Sequence, residues 1–341
     1  MHSIDISRFS IHSGLSRLAA MPYDAHPAPA APAPAAAATP SSSPALDGAA
    51  GRSTLWLALP FTLVWASAFP AAKFVFPDSP PLLFLSLRFV CAGLLLTAWA
   101  AWRGEFRQRR PSLRDWATLL ALALLGHALY LGVSWTGMRQ LSSGLATIII
   151  SASPIVVALL AAALLGEPLT RRKLLGLALG LGGVAFIVRH RLHGGADTAQ
   201  GLLLVLLALA SLSLGTVLYK RLPLRIGLVA NAGLQMLLAG LLLAPVALAL
   251  ENPADLRLTP ALLGAFAWLL GVVSLMGYLM WFTLLGRHSA SAASAWFFLT
   301  PPLGLLMGWA VLDEPLSLPD LLGIVPVAIG IALVTRAAPP R

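Results

Sequence analysis

Charge is scarce in this chain. Asp, Glu, Lys and Arg make up 11% of its 341 residues, less than half of the ~25% usual in a soluble domain. That scarcity excludes a soluble globular fold, because residues that are 58% hydrophobic could not all be hidden in a core of this length. Cysteine is rarer still. The single Cys91 lies in an apolar run, which rules out a disulfide framework and a Cys/His metal site and leaves it as a packing residue. Of the 13 acidic residues, none falls in the middle of an apolar run. There is also no HExxH, no pair of intramembrane carboxylates and no nucleotide-binding loop, so no metal, no cofactor and no enzymatic activity are expected. The net charge of +10 would suggest nucleic acid in a soluble chain; here the basic residues flank apolar segments and orient them instead.

What the chain does have is length in apolar runs. Residues 1–53, which include HPAPAAPAPAAAATPSSSPALDGAAG, are rich in Ala, Pro and Ser and are expected to be disordered. Prolines interrupt any signal-peptide core there, and Met21 offers an internal start. From residue 54 onward, apolar runs about the length of a bilayer crossing follow one another. Ten spans are expected: 54–76, 80–102, 113–137, 141–165, 172–190, 199–219, 226–249, 261–285, 290–312 and 317–335. With the N-terminus in the cytoplasm, 17 of the 23 Lys and Arg fall inside, five fall outside, and Arg88 remains within a span. The expectation is therefore an all-α integral protein of the cell membrane with both termini cytoplasmic.

One phrase is written twice: ALLGEPLTRRKLLG at 163–176 and AVLDEPLSLPDLLG at 310–323. Glu167 and Glu314 stand 147 residues apart, and the same offset carries Pro154 onto Pro301, Gly176 onto Gly323, Gly183 onto Gly330 and Lys73 onto Lys220. The repeated unit holds five spans, 54–190 and then 201–336. Because five is odd, the second copy enters the membrane from the opposite side, as in transporters built from inverted repeats. Gly176, Gly180 and Gly183 form a small-residue face suited to packing within the bundle or to a homodimer.

LVWASAFPAAKF in the first span, the arginine of LSLRFVCAG in the second and the two P-x(12)-EPL phrases resemble the EamA branch of the drug/metabolite transporter superfamily over residues 54–336. The resemblance implies a ten-helix transporter in which spans 3, 4, 8 and 9, with contributions from 1 and 6, surround a central cavity, with many members exporting amino acids and related metabolites.

Pro154 and Pro301 each fall about half-way along an expected span and follow hydroxyl residues, Ser151 and Ser153 in one copy and Thr300 in the other. A proline there frees a carbonyl that lipid cannot satisfy, which suits either a packing kink or a broken helix facing a substrate. His127 and Tyr130 share a helical face; with Trp281 and Trp296 they complete the expected substrate-binding set. Trp56, Trp99, Trp102, Trp116 and Trp309 read instead as anchors at the membrane surface. Asn231 and Gln235, four residues apart, read as interhelical glue or as ligands. Lys73, Arg88, Glu167 and Glu314 are the candidates for charge recognition or gating: Arg88 either snorkels outward or attracts an anion, and the two glutamates cap or gate span ends. The function expected is export of a small-molecule metabolite across the lipid bilayer. Uptake, flipping of a lipid-linked carrier, and a receptor or scaffold are the alternatives.

Overall fold

The computed structural model describes residues 44–108, 110–140, 149–150, 152–188, 198–222, 224–312 and 322–335. Ser151 and Glu314 lie outside them. The packing below concerns the unit Asp47–Arg341. Among the described residues all regular structure is helical.

Helices α1 (Pro44–Ala66) and α2 (Ala68–Lys73) form one apolar run with a break at Ser67. Pro70 cannot donate to the Ala66 carbonyl four residues back, and the Ser67 hydroxyl donates to the Val64 carbonyl at 2.7 Å. Helix α3 (Pro81–Trp102) opens on proline, where the missing N–H costs nothing. A Ser112–Asp115 capping box starts α4 (Leu113–Ala123), which continues through a π-helical stretch, Leu124–Leu129, into α5 (Tyr130–Met138). Helices α6 (Ser153–Leu165) and α7 (Arg171–Val188) follow. Gly166, at φ +68°, ends α6 in the left-handed conformation that glycine adopts without strain.

The second half repeats the plan. Helix α8 (Ala199–Arg221) is capped by Thr198, and α9 (Leu228–Leu250) comes next. Thr259 caps α10 (Pro260–Trp268), which passes through a π-helical stretch, Leu269–Gly277, into α11 (Tyr278–Arg287). The 147-residue offset carries the first π-helical stretch into the second. Ser289 caps α12 (Ala290–Ser294), a 3-10 segment spans Ala295–Leu299, and α13 (Thr300–Leu312) and α14 (Ile324–Thr335) are the last helices among the described residues.

Among the described residues, six helical runs are long and apolar enough to cross a bilayer: Thr54–Lys73, Pro81–Trp102, Leu113–Met138, Ala199–Arg221, Leu228–Leu250 and Pro260–Arg287. The expected ninth span is broken into α12, the 3-10 segment and α13. Pro154 and Pro301 therefore do not sit in mid-helix. Each stands in the first turn of a new helix, α6 or α13, where its ring displaces no hydrogen bond.

Equivalent helices of the two halves pack on each other. Among the described residues, the α3–α9 and α7–α14 contacts are the most extensive. Without a hydrophobic drive between helices in lipid, such contacts depend on close approach, and glycines permit it. A Cβ built on Gly93 would lie 2.4 Å from the Leu237 backbone nitrogen, and one on its offset mate Gly240 would lie 2.7 Å from that of Val90. In the other pair Gly176 meets the Gly330 carbonyl and Gly183 meets the Gly323 carbonyl. Residue numbers rise on one helix as they fall on its partner, so both pairs are antiparallel. The Gly176, Gly180 and Gly183 face is thus filled within the chain, by α14 and by the Phe298 ring. Trp56, Trp99, Trp102, Trp116 and Trp309 are exposed, whereas Trp65, Trp135, Trp281 and Trp296 are buried.

Candidate functional site

Two small cavities lie between the halves, of about 30 Å³ and about 20 Å³, each with room for a water or two. Trp65, Ala68, Phe69, Ala72, Arg88, Leu131, Ser134, Trp135 and Met138 line the first. Adding the offset to these in turn yields Leu212, Gly215, Thr216, Tyr219, Gln235, Tyr278, Trp281, Phe282 and Leu285, and all nine line the second. The cavities are therefore the same chamber made twice, once by each repeat.

An aromatic layer separates them. Trp65 and Tyr278 belong to both walls. His127 stacks on Tyr278 with ring centroids 4.6 Å apart, Trp65 meets Tyr278 edge-on at 5.2 Å, and Phe89 meets His127 edge-on at 5.8 Å. Behind the layer Phe61 stacks on Trp281 at 5.4 Å. Offset and edge-on rings of this kind are worth ~0.5–1.5 kcal/mol per pair beyond their burial. Neither ring nitrogen of His127 makes a hydrogen bond of good geometry, with the Leu122 carbonyl alongside. The Tyr278 hydroxyl and the Arg88 Nε are likewise buried without a partner. Unpaired buried polar groups are rare in native proteins, and three of them here border one path.

Both ends of that path are tied across the halves. At the Asp78 end, Glu251 accepts from the Leu82 and Leu83 amides that begin α3, at 3.0 and 2.8 Å, and Asp78 accepts from the Arg257 amide and the Thr259 hydroxyl. At the opposite end, Glu105 accepts from the Ala230 amide near the start of α9 at 3.0 Å, and Arg221 donates to the Leu164 carbonyl. Glu167 accepts from the Ala290 amide at 2.8 Å and the Ser291 hydroxyl at 2.6 Å, with Lys173 at 3.4 Å. Half-burial opposes ionisation of Glu167, but these bonds and Lys173 outweigh it and hold the carboxyl below its usual range. Glu167 does cap a helix, though not its own: it caps α12 of the other half.

His127, Tyr130, Arg88 and Trp281 come together around the two chambers. Arg88 does not snorkel; its side chain is fully buried. Ser153 and Pro154 line neither chamber, and the Ser153 hydroxyl faces that of Ser213 on α8 at 3.5 Å. Trp296, Thr300 and Pro301 also line neither, although the buried Thr300 hydroxyl has no partner. Lys73 is exposed at the end of α2. Tyr278, Trp65 and Tyr219 were not anticipated from the sequence. The offset carries Leu131, the residue beside Tyr130, onto Tyr278, and that signal was present in the sequence.

A larger apolar groove, about 530 Å³, opens at the surface between α2, α10 and α13, with Phe74, Trp268, Met307 and Val311 in its wall.

The EamA-like transporter family matches the chain twice, at residues 52–189 and 199–336. The uncharacterized transporter YvbV of Bacillus subtilis is 30% identical over 83% of this chain and 91% of its own. The uncharacterized inner membrane transporter YedA of Escherichia coli K12 is 26% identical over 80% and 87%. A solved crystal structure at 19% identity superposes with a TM-score of 0.71 over 83% of this chain and 96% of the other, a likeness in fold.

Proposed function

Because the chain belongs to the EamA-like transporter family and is a multi-pass membrane protein, we propose that it is a secondary transporter exporting amino acids or related small metabolites. It works by alternating access between two inverted repeats of five spans each. The observation that carries this reading is the pair of offset-related chambers on either side of the His127–Tyr278 layer. A path built twice, in antiparallel halves, blocked at its centre and tied at both ends, is what an alternating-access carrier needs in its closed state. Opening one end requires parting the ties there, and substrate passes when the aromatic layer gives way. The excess of basic residues supports a cytoplasmic position for the Glu167 end, with Lys173, Lys220 and Arg221.

The test compares the medium of cells producing the protein, cells carrying an empty vector, and cells producing a His127→Ala/Tyr130→Ala variant. Untargeted mass spectrometry should find a small set of metabolites that accumulates only with the intact protein. Equal export by the variant would remove the site assignment and leave the transporter; no change with well-inserted protein would remove export.

The surface groove favours a second reading, the flipping of a lipid-linked carrier whose chain stays in the hydrocarbon while its head crosses. A fluorescent-lipid quenching assay in proteoliposomes separates the two, since a metabolite exporter leaves the protected lipid fraction unchanged.

A further inference from the structure

The two chambers share their plan, yet they differ in charge. Arg88 in one stands where Gln235 stands in the other. We infer that the Arg88 chamber is an anion subsite that receives the carboxylate of the transported molecule, and that only one repeat carries it. This rests on the transporter reading and names the chemical class carried.

The two positions differ in how fully they are satisfied. The Gln235 amide donates to the Asn231 carbonyl oxygen at 2.6 Å, and the Asn231 amide donates to the Tyr219 hydroxyl at 3.1 Å. That position is closed by the protein itself. Arg88 is buried, and no ion pair or hydrogen bond to it is found among the described residues. Its guanidinium carbon lies 4.8 Å from the Phe89 ring centroid and 5.8 Å from that of Trp135. Ring contacts offset part of the cost of removing a cation from water, but they leave its planar donors unused. A structural arginine in a membrane core would be expected to have a carboxylate or carbonyls on those donors. This one lines a cavity whose wall also includes Tyr278, and the Tyr278 hydroxyl has no partner. A carboxylate entering there accepts a forked pair of bonds from the guanidinium and a third from Tyr278. At about 30 Å³ the chamber takes the charged head alone, so the body of the molecule enters only as the aromatic layer opens.

The test uses the full chain in detergent micelles, with tryptophan fluorescence as readout, since Trp65 and Trp135 line the chamber. The probes are benzoate and benzamide, which share a ring and differ in charge. Benzoate should quench the wild type saturably and benzamide should not. Arg88→Gln, which installs the residue of the other repeat, should weaken benzoate roughly tenfold or more, and Arg88→Lys should weaken it less. Size-exclusion profiles report whether the variants fold, and the benzoate–benzamide comparison on the wild type decides the matter if Arg88→Gln does not. Equal quenching by both probes, no saturation by benzoate, or benzoate binding by a folded Arg88→Gln protein at wild-type strength would each overturn the subsite. Arg88-dependent binding without any exported metabolite would sink the export reading and leave the subsite. Export with Arg88-independent binding would do the reverse.

Discussion

Glu167→Gln removes one charge and almost no volume, and it should unlatch one end of the molecule. The carboxylate accepts two bonds from the start of α12, at 2.8 and 2.6 Å, and faces Lys173 at 3.4 Å. Hydrogen bonds to a charged group contribute ~1.5–3 kcal/mol each, and a neutral amide oxygen retains part of that. Lys173 is partly exposed and adds little. The net loss is about 1–2 kcal/mol, or roughly a 5- to 30-fold shift toward forms open at that end. Paired cysteine reporters in a Cys91→Ser background would read it. Thr216→Cys lies in the chamber nearer Glu167, and Ser134→Cys lies in the other. Maleimide labelling of Thr216→Cys should accelerate by that factor in Glu167→Gln, while labelling of Ser134→Cys stays level or slows. Equal acceleration at both sites would mean general loosening, and no acceleration would mean the bonds hold nothing shut; either result refutes the latch. The pH dependence follows from the lowered Glu167 pKa. A depressed carboxylate is stabilising above its unfolded pKa, and the effect is lost as pH falls through the folded value. Relative to a free thiol, wild-type labelling should therefore not change from neutral pH down to about 5 and should rise below that.

Other outcomes follow from the packing. Gly93→Ala places a methyl 2.4 Å from backbone at the α3–α9 crossing and should cost about 1–3 kcal/mol, seen as a lower melting temperature in detergent. Gly264→Ala, with nothing within 4 Å, is the matched control. Tyr278→Phe removes a hydroxyl that bonds to nothing, so its melting temperature should hold, whereas Tyr278→Ala should open the layer and join the chambers, raising labelling of Thr216→Cys. Asn231→Ala strands the Gln235 amide and the Tyr219 hydroxyl and should destabilise by roughly 1–2 kcal/mol in the same melting assay.

The membrane character, the family and the two-part build could be read from composition and from one phrase written twice. Part of the aromatic split could be read as well: Trp56, Trp99, Trp102, Trp116 and Trp309, assigned to the surface, are exposed, and Trp281 and Trp296, assigned to the interior, are buried. The helix breaks were harder. Proline shows where a hydrogen bond is absent but not on which side of it a helix restarts, so Pro154 and Pro301 were placed in mid-span. Glu167 was legible as a cap, but its partner lies 123 residues away, a distance no local pattern spans. Tyr278 escaped because its role depends on a stack with His127 across the interface; only the offset, applied position by position, points there.

The glycine contacts between α7 and α14 have a consequence for how such a chain can change. Exchanging the two halves turns the Gly176–Gly330 contact into the Gly183–Gly323 contact, so each half offers the other the same self-matching surface. A half on its own would dock on an upside-down copy of itself through that seam. In such a pair every substitution would be felt twice, and a cation on one side would face its twin on the other. Fusing the halves into one polypeptide lifts that restriction, and a lone arginine can then stand opposite a glutamine.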